Sequence, residues 1–243
     1  MTLSLKKRTR VTRVNTDADR LQAITVLKAT YHDEKNWVAN EQKMFLNEDL
    51  QDPKVSWFLV LVEERPVGVL RVLYELPLET YKEYGFKQLG DGVDIEAFVK
   101  SSKIAEIGRF AVLPEYRKYI VVVGALMREA SKETVERGFT HYITDIFEGE
   151  KHSPYLFHTR VMGFIPVATH DVGELNCPLR RITMVLDIRA AYNRLRNSNG
   201  FVFRFLTEGW DASLHEKLRN VDPKDNTEGM LLTIARAYGL AGK

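Results

Sequence analysis

A buried strand that runs directly into a helix constrains this chain more than any other feature. Ile104 to Val112 alternates as a strand that Pro114 ends, and Ile120 to Arg137 carries a helical pattern closed by Gly138. The strand holds a carboxylate and a guanidinium, in Glu106-Ile-Gly-Arg109-Phe-Ala-Val-Leu-Pro-Glu-Tyr-Arg117. At such a junction the first-turn N–H groups and the positive end of the helix dipole can meet a phosphate or a developing oxyanion. Acid–base groups and an anion-binding backbone thus fall within one short segment.

Composition sets the frame around that segment. With 243 residues, 44% of them hydrophobic, the chain can bury a sizeable core in one elaborated domain. A formal net charge of +2 is too small to argue for nucleic acid. The single cysteine, Cys177, excludes an internal disulfide and, in Asn-Cys-Pro, reads as an inert thiol. The six histidines lack metal-ligand spacing, so no metal site is expected. No apolar stretch reaches membrane-spanning length, and Lys6, Lys7, Arg8 and Arg10 precede no apolar signal region. A cytoplasmic protein is expected.

The pattern along the chain is α/β. Thr12 to Asn15 reads as a first strand and Asp17 to Tyr31 as a helix capped by Thr16, with Leu21, Ile24, Leu27 and Lys28 along one side. Phe45 to Pro53 reads as loop. Ser56 to Val62 and Val67 to Tyr74 are β-rich runs joined by the hairpin signal Glu63-Glu-Arg-Pro66. Pro77 to Ser102, with Tyr81, Tyr84, Phe86 and Phe98, is an insertion that serves as a lid or as packing. His141 to Phe147 reads as a buried strand, Ser153 to Met162 as a helix and Arg181 to Ile188 as a closing strand. Beyond it Ala190 to Asn197, Asp211 to Asn220 and Thr227 to Tyr238 look helical, with Pro223 between the last two. Residues 1–188 are expected to form the catalytic domain and 189–243 a helical extension packed on it, with an oligomerisation arm as the other reading.

The strand ending Val-x-Pro-x-Tyr-Arg, at Val112 to Arg117, resembles the GNAT superfamily of N-acetyltransferases. Tyr31 and Trp37, Asp49-Leu-Gln-Asp52, Val67-Gly68-Val-Leu-Arg71 and Glu106-Ile-Gly-Arg109 follow one another as in the acyl-homoserine-lactone autoinducer synthases and N-acyl amino acid synthases of that superfamily. This match covers about the first half of the chain. The resemblance implies a mixed, mostly antiparallel central sheet flanked by helices. It departs at Leu27, where those synthases carry arginine and this chain has Lys28 alongside, so what the resemblance implies is N-acylation in general rather than homoserine-lactone synthesis in particular. It also departs at Ile120 and Val122, which occupy the glycine positions of the pyrophosphate-binding turn. Side chains there obstruct the close backbone approach of a coenzyme A pyrophosphate, a departure that the resemblance to those synthases links to acyl chains on acyl carrier protein; acyl carrier protein and coenzyme A both stay open as donor.

Amide formation from a thioester needs a neutral amine, a route for its proton and donors for the oxyanion. Glu106 is either the base or the ion-pair partner of Arg109, and the resemblance implies catalytic roles for both. Their i, i+3 spacing puts them on opposite faces of a regular strand, so a shared pocket requires a bulge around Gly108. Trp37, Asp49, Asp52 and Arg71 are the acceptor-binding candidates: carboxylates hold an ammonium, and arginine grips a carboxylate bidentately. Against this, Trp37 suits a core and Asp-x-x-Asp-Pro an ordinary turn. Phe110, Ala111, Val112, Arg117, Lys118 and Gly124 are the donor-binding candidates. The acid tyrosine of many GNAT enzymes is replaced by Thr159, leaving His158 or Tyr155 as substitutes. Arg117 and Lys118, at the helix entrance, offer a basic face to acidic acyl carrier protein; Arg128 and Lys132, among Glu129, Glu133 and Glu136 on the same helix, read instead as a solvated face.

The expected function is N-acyl transfer from an acyl thioester, as co-substrate rather than tightly bound cofactor, to the amine of a small amino-acid-like acceptor. An acetyl-CoA-dependent acetyltransferase and a non-catalytic acyl- or coenzyme-binding module stay open beside it.

Overall fold

The computed structural model describes residues 8–40, 44–76, 83–89, 95–198 and 200–219. Strands β1 (Thr9–Arg13), β2 (Val55–Val62), β3 (Arg65–Leu73), β4 (Lys87–Gln88), β5 (Ile104–Val112), β6 (His141–Phe147), β7 (Ile165–His170) and β8 (Arg181–Asp187) form one sheet in the order β1-β2-β3-β5-β6-β8-β7-β4. Every neighbouring pair is antiparallel except β5 and β6. Helices α1 (Asp17–Leu27), α2 (Ile95–Ser101) and α3 (Ile120–Glu136) join the strands, and α4 (Ile188–Ser198), α5 (Phe201–Leu206) and α6 (Ala212–Arg219) follow the sheet.

Local chemistry accounts for the element ends. Thr16 caps α1 through its hydroxyl, which accepts from Asp19 N at 3.2 Å and donates to Asp19 Oδ2 at 2.8 Å. The buried face of α1 is Ala23, Val26 and Leu27. Leu21, expected on that face, is 59% exposed, because the helix turns its i+2 and i+5 positions inward instead. The helix continues into a π-helical segment, Lys28–Glu34. The hairpin between β2 and β3 turns on Glu63 and Glu64, both with positive φ, the geometry of a two-residue primed turn. Gly138, at φ +77, ends α3 as expected.

Outside the insertion, β7 and α5 escape the sequence pattern. β7 contains Pro166, which sits where its register with β8 shifts, so the strand tolerates the missing donor. α5 is only a turn and a half, too short to show a period. The Ser153 to Met162 expectation resolves into a π-helical turn, Phe157–Met162, closed by Gly163 at φ +91. The insertion contributes β4 and α2. Tyr81 and the Thr227 to Tyr238 helix lie outside the described residues.

β2 is buried along all eight residues, so both its faces are covered; α1 and α3 pack on it. The α4–α6 segment packs on α3. Phe205 lies against Gly124, where an added Cβ would come within 2.8 Å of its ring. Lys217 Nζ donates to Glu136 O at 3.0 Å, at the carbonyl end of α3. Among the described residues no helix is long and apolar enough to cross a membrane.

Candidate active site

The parallel pair opens the molecule. β5 and β6 pair only from Ile104↔His141 to Glu106↔Ile143. Beyond Glu106 they diverge, and a cavity of about 700 Å³ lies between them, lined by residues 106–112 of β5 and 144–147 of β6. The start of α3 borders it at Arg117, Lys118 and Ile120, and the segment after α1 does so at Tyr31, Lys35 and Trp37.

β5 carries the bulge that its sequence requires. Val69 pairs with Ala111 and Arg71 with Gly108, so two steps along β3 face three along β5. The extra length falls at Arg109, whose φ is +49. A non-glycine residue in that region costs of order 1–3 kcal/mol and persists only where its surroundings hold it. The result is that Glu106 and Arg109 both line the cavity.

Four charges meet at the floor. Arg71 Nη2 lies 3.3 Å from Glu106 Oε1, while Glu174 takes Arg71 Nη1 and Nη2 at 3.2 and 3.0 Å and Arg109 Nη2 at 2.7 Å. Gly108 gives this cluster room, since a Cβ there would sit 3.0 Å from both Arg71 Nη2 and Glu106 Oε1. Burial pushes the Glu174 carboxyl up, but the two guanidiniums outweigh it and hold the group at about 2. Burial likewise works against the Arg71 charge, and Glu174 and Glu106 reverse it, leaving Arg71 above its ordinary value.

Glu174 was missed in the sequence. Its loop, between β7 and β8, has no motif. Charge arithmetic was the available signal: two arginines on buried strands exceed the single carboxylate of Glu106, so another anion had to come from elsewhere. The loop is fixed by Arg181, which donates to Asp171 O at 2.7 Å and Leu175 O at 2.5 Å. His170 Nδ1 sits 2.6 Å from Val172 O.

The other expected residues divide. Trp37 lines the cavity, stacks on Tyr31 at 5.9 Å and packs against Phe147 at 4.3 Å. The Tyr31 hydroxyl, pushed up to about 12 by burial, donates to Phe110 O at 3.1 Å. Phe110, Ala111, Val112, Arg117 and Lys118 all line the cavity. Arg71 does not line the cavity itself but meets Glu174 and Glu106, which do. Asp49 and Asp52 do not line the cavity. Asp49 accepts from Trp57 Nε1 at 2.8 Å, with burial raising its carboxyl, and Asp52 Oδ1 accepts from Lys54 N inside its own turn. Gly124, offered as a donor-binding glycine, is turned away and serves the close approach of Phe205. Of the two side chains at glycine positions, Ile120 borders the cavity while Val122 is fully buried in the core.

The basic candidates divide between ion pairs and solvent. Arg117 pairs through both Nη atoms with Glu34, whose carboxyl these hydrogen bonds hold below its ordinary range, and gives its Nε to Val112 O at 2.9 Å. Arg128 pairs with Glu129 and Glu208. Lys118 is exposed over the Tyr119 ring. His158 lines the cavity, stacked on Phe164 at 4.9 Å, with Nδ1 buried and unpartnered among the described residues. Burial lowers it to about 4, so near pH 7 the ring is neutral and holds no imidazolium proton to give. Tyr155 does not line the cavity. Among the described residues no cluster of histidine, cysteine or carboxylate side chains is arranged to hold a metal ion.

The mixed sheet with one splayed parallel pair is the GNAT fold, and solved structures of that fold superpose on the chain. FeeM, an N-acyl amino acid synthase from uncultured soil microbes, does so with TM-score 0.59 at 16% identity, over 82% of this chain and 98% of FeeM. An aminoglycoside 6'-acetyltransferase type Ii gives 0.52 at 14% identity, over 74% and 97%. The ribosomal-protein-S18-alanine N-acetyltransferase from Escherichia coli gives 0.50 at 12% identity, over 74% and 94%. No family model matches the sequence, and no curated protein matches it.

Proposed function

We propose that the chain is an N-acyltransferase that moves an acyl group from a thioester to the amine of an amino-acid-like acceptor. The observation that carries this reading is the bulged β5: it turns Glu106 and Arg109 together onto a cavity opened by the splayed β5–β6 pair. The thioester arm lies along the Phe110 to Val112 edge, and Glu106 takes the proton of the attacking amine directly or through a water. The departing thiolate, with an intrinsic pKa near 8.5, leaves without an obligatory acid. Neither His158 nor Tyr155 is needed in that role. Arg109 positions Glu106 and the acceptor through the cluster it shares with Glu174. Residues 1–188 carry this chemistry and the α4–α6 segment buttresses α3.

For the donor we favour acyl carrier protein, docked at Lys118, because Ile120 stands where the pyrophosphate of coenzyme A needs close backbone approach. One observation favours coenzyme A as well: Val122 faces the core, so Ile120 alone is the obstacle. The likeness to FeeM supports an amino acid as acceptor. The test combines purified protein, acyl carrier protein and coenzyme A thioesters of equal chain length, and a panel of amino acids, with mass spectrometry of the products. A new acylated amine names both substrates; no acylated product from any pair overturns the reading.

A further inference from the structure

Glu174 lies across Arg71 and Arg109 as a free carboxylate would. Both its oxygens engage Arg71, and Oε1 also takes Arg109. The four partners differ in exposure. The side chains of Arg71, Arg109 and Glu106 are 11%, 3% and 13% exposed, and that of Glu174 is 48% exposed. Glu174 is also the one member contributed by a loop. Arg181 and His170 pin that loop's backbone, so the movement open to Glu174 is a rotation of its side chain into solvent.

Charge balance restricts what can enter. Among the described hydrogen bonds of the cluster, two guanidiniums face two carboxylates, so a ligand carboxylate that joined them would add a further anion to the same two cations. A ligand carboxylate that replaced Glu174 would leave the balance unchanged. We propose that the Arg71–Arg109 pair is the subsite for the acceptor's carboxylate and that Glu174 is its internal occupant, exchanged for that carboxylate when the acceptor enters. This rests on the N-acyltransferase reading and narrows the acceptor to α-amino acids. Their amine is one carbon from the carboxylate, which brings it within reach of Glu106, whose Oε1 is 3.3 Å from Arg71 Nη2. An amine without a carboxylate cannot displace Glu174, so the exchange itself discriminates.

Two measurements test it. The acceptor KM is determined for an accepted α-amino acid and for its decarboxylated amine, in wild type and in Glu174→Gln. Removing the internal competitor's charge should lower the amino acid KM by about fivefold and leave the amine KM no lower, as expected when a competing internal state is removed. A rise in both values, or no change in either, overturns the exchange. The second measurement needs no donor. Glu174→Ala is melted in sodium acetate and in sodium chloride at equal ionic strength, and acetate should raise its melting temperature by about 2–4 °C without doing so in wild type. Equal melting in the two salts overturns the carboxylate subsite; Glu174→Gln, which keeps the shape, repeats the comparison if the alanine variant does not fold. Because the acetate arm involves no acyl transfer, its failure is distinct from an absence of turnover, which would overturn the transferase reading instead.

Discussion

β2 and β5 are both interior strands of the same sheet, and they show what separates packing from a site. β2 runs Val-Ser-Trp-Phe-Leu-Val-Leu-Val, buried throughout, and its polar side chain, Ser56, is bonded to Glu133 at 2.7 Å. β5 alternates in burial and carries Glu106 and Arg109. Both border an irregularity: one step along β2, from Val60 to Leu61, faces two along β3, from Gly68 to Pro66, so there the extra residue belongs to the partner strand, whereas β5 carries its own bulge. A bulge alone therefore marks nothing. Opposite β2 it lies on β3 beside Pro66 and leaves β2 regular among apolar side chains, whereas in β5 it turns two charges toward a cavity at the cost of a strained backbone.

If that contrast is right, β2 and β5 should fail differently. Leu59 on β2 is fully buried, so Leu59→Ala should cost about 3 kcal/mol of stability, a fall of about 6–12 °C in melting temperature, with turnover per folded molecule within about twofold of wild type. Glu106→Gln on β5 should do the reverse. Turnover should fall about a hundredfold, close to 2.7 kcal/mol at the transition state, while the melting temperature stays within a few degrees. Thermal melts and steady-state rates on both variants check the pair; a Glu106→Gln protein with near-normal turnover would place Glu106 with the packing residues.

The legible part of this architecture was what repeats or what must be compensated. Strand–helix order follows from periodicity, and the bulge follows from the i, i+3 spacing of Glu106 and Arg109 once both are required to share a pocket. Residues whose meaning lies in a distant partner were not legible. Glu174 acquires its role only when the β7–β8 loop folds over β3 and β5. Gly124 lies near the start of α3, among the donor-binding candidates, yet Phe205, far along the chain, is what packs against it. Arg117 had the right position for a donor contact, but Glu34 already holds it. β7 was hidden by Pro166, because the rule that keeps proline out of interior strands does not announce where a register shift will relax it.

Arg71 sits between the two kinds of residue, on packed β3 and in the charged cluster. Arg71→Ala should raise the KM of an amino acid acceptor about tenfold, leave the donor KM largely unchanged, and hurt a decarboxylated amine least. Lysine should rescue in part, since an ammonium lacks the bidentate fork. A variant that melts early and treats acid and amine acceptors alike would assign Arg71 to packing.

The smallest effect separates the strands by pH. Glu174 has an ordinary carboxyl value of 4.5 and is held at about 2 in the folded chain: burial opposes the shift, and Arg71 and Arg109 overcome it. A carboxyl depressed by folding adds stability above its unfolded value and loses it as pH falls through its folded value. Between pH 4.5 and about 2, wild type should therefore lose stability that Glu174→Gln does not have to lose, and the gap between their melting temperatures should close toward the acid end of that range. The side chain is half exposed, so solvent screening keeps this gap modest. Leu59→Ala, which removes only apolar contact, should differ from wild type by the same amount across the window. A Glu174→Gln gap equally indifferent to pH would detach Glu174 from the two arginines and make the loop, like β2, a matter of packing.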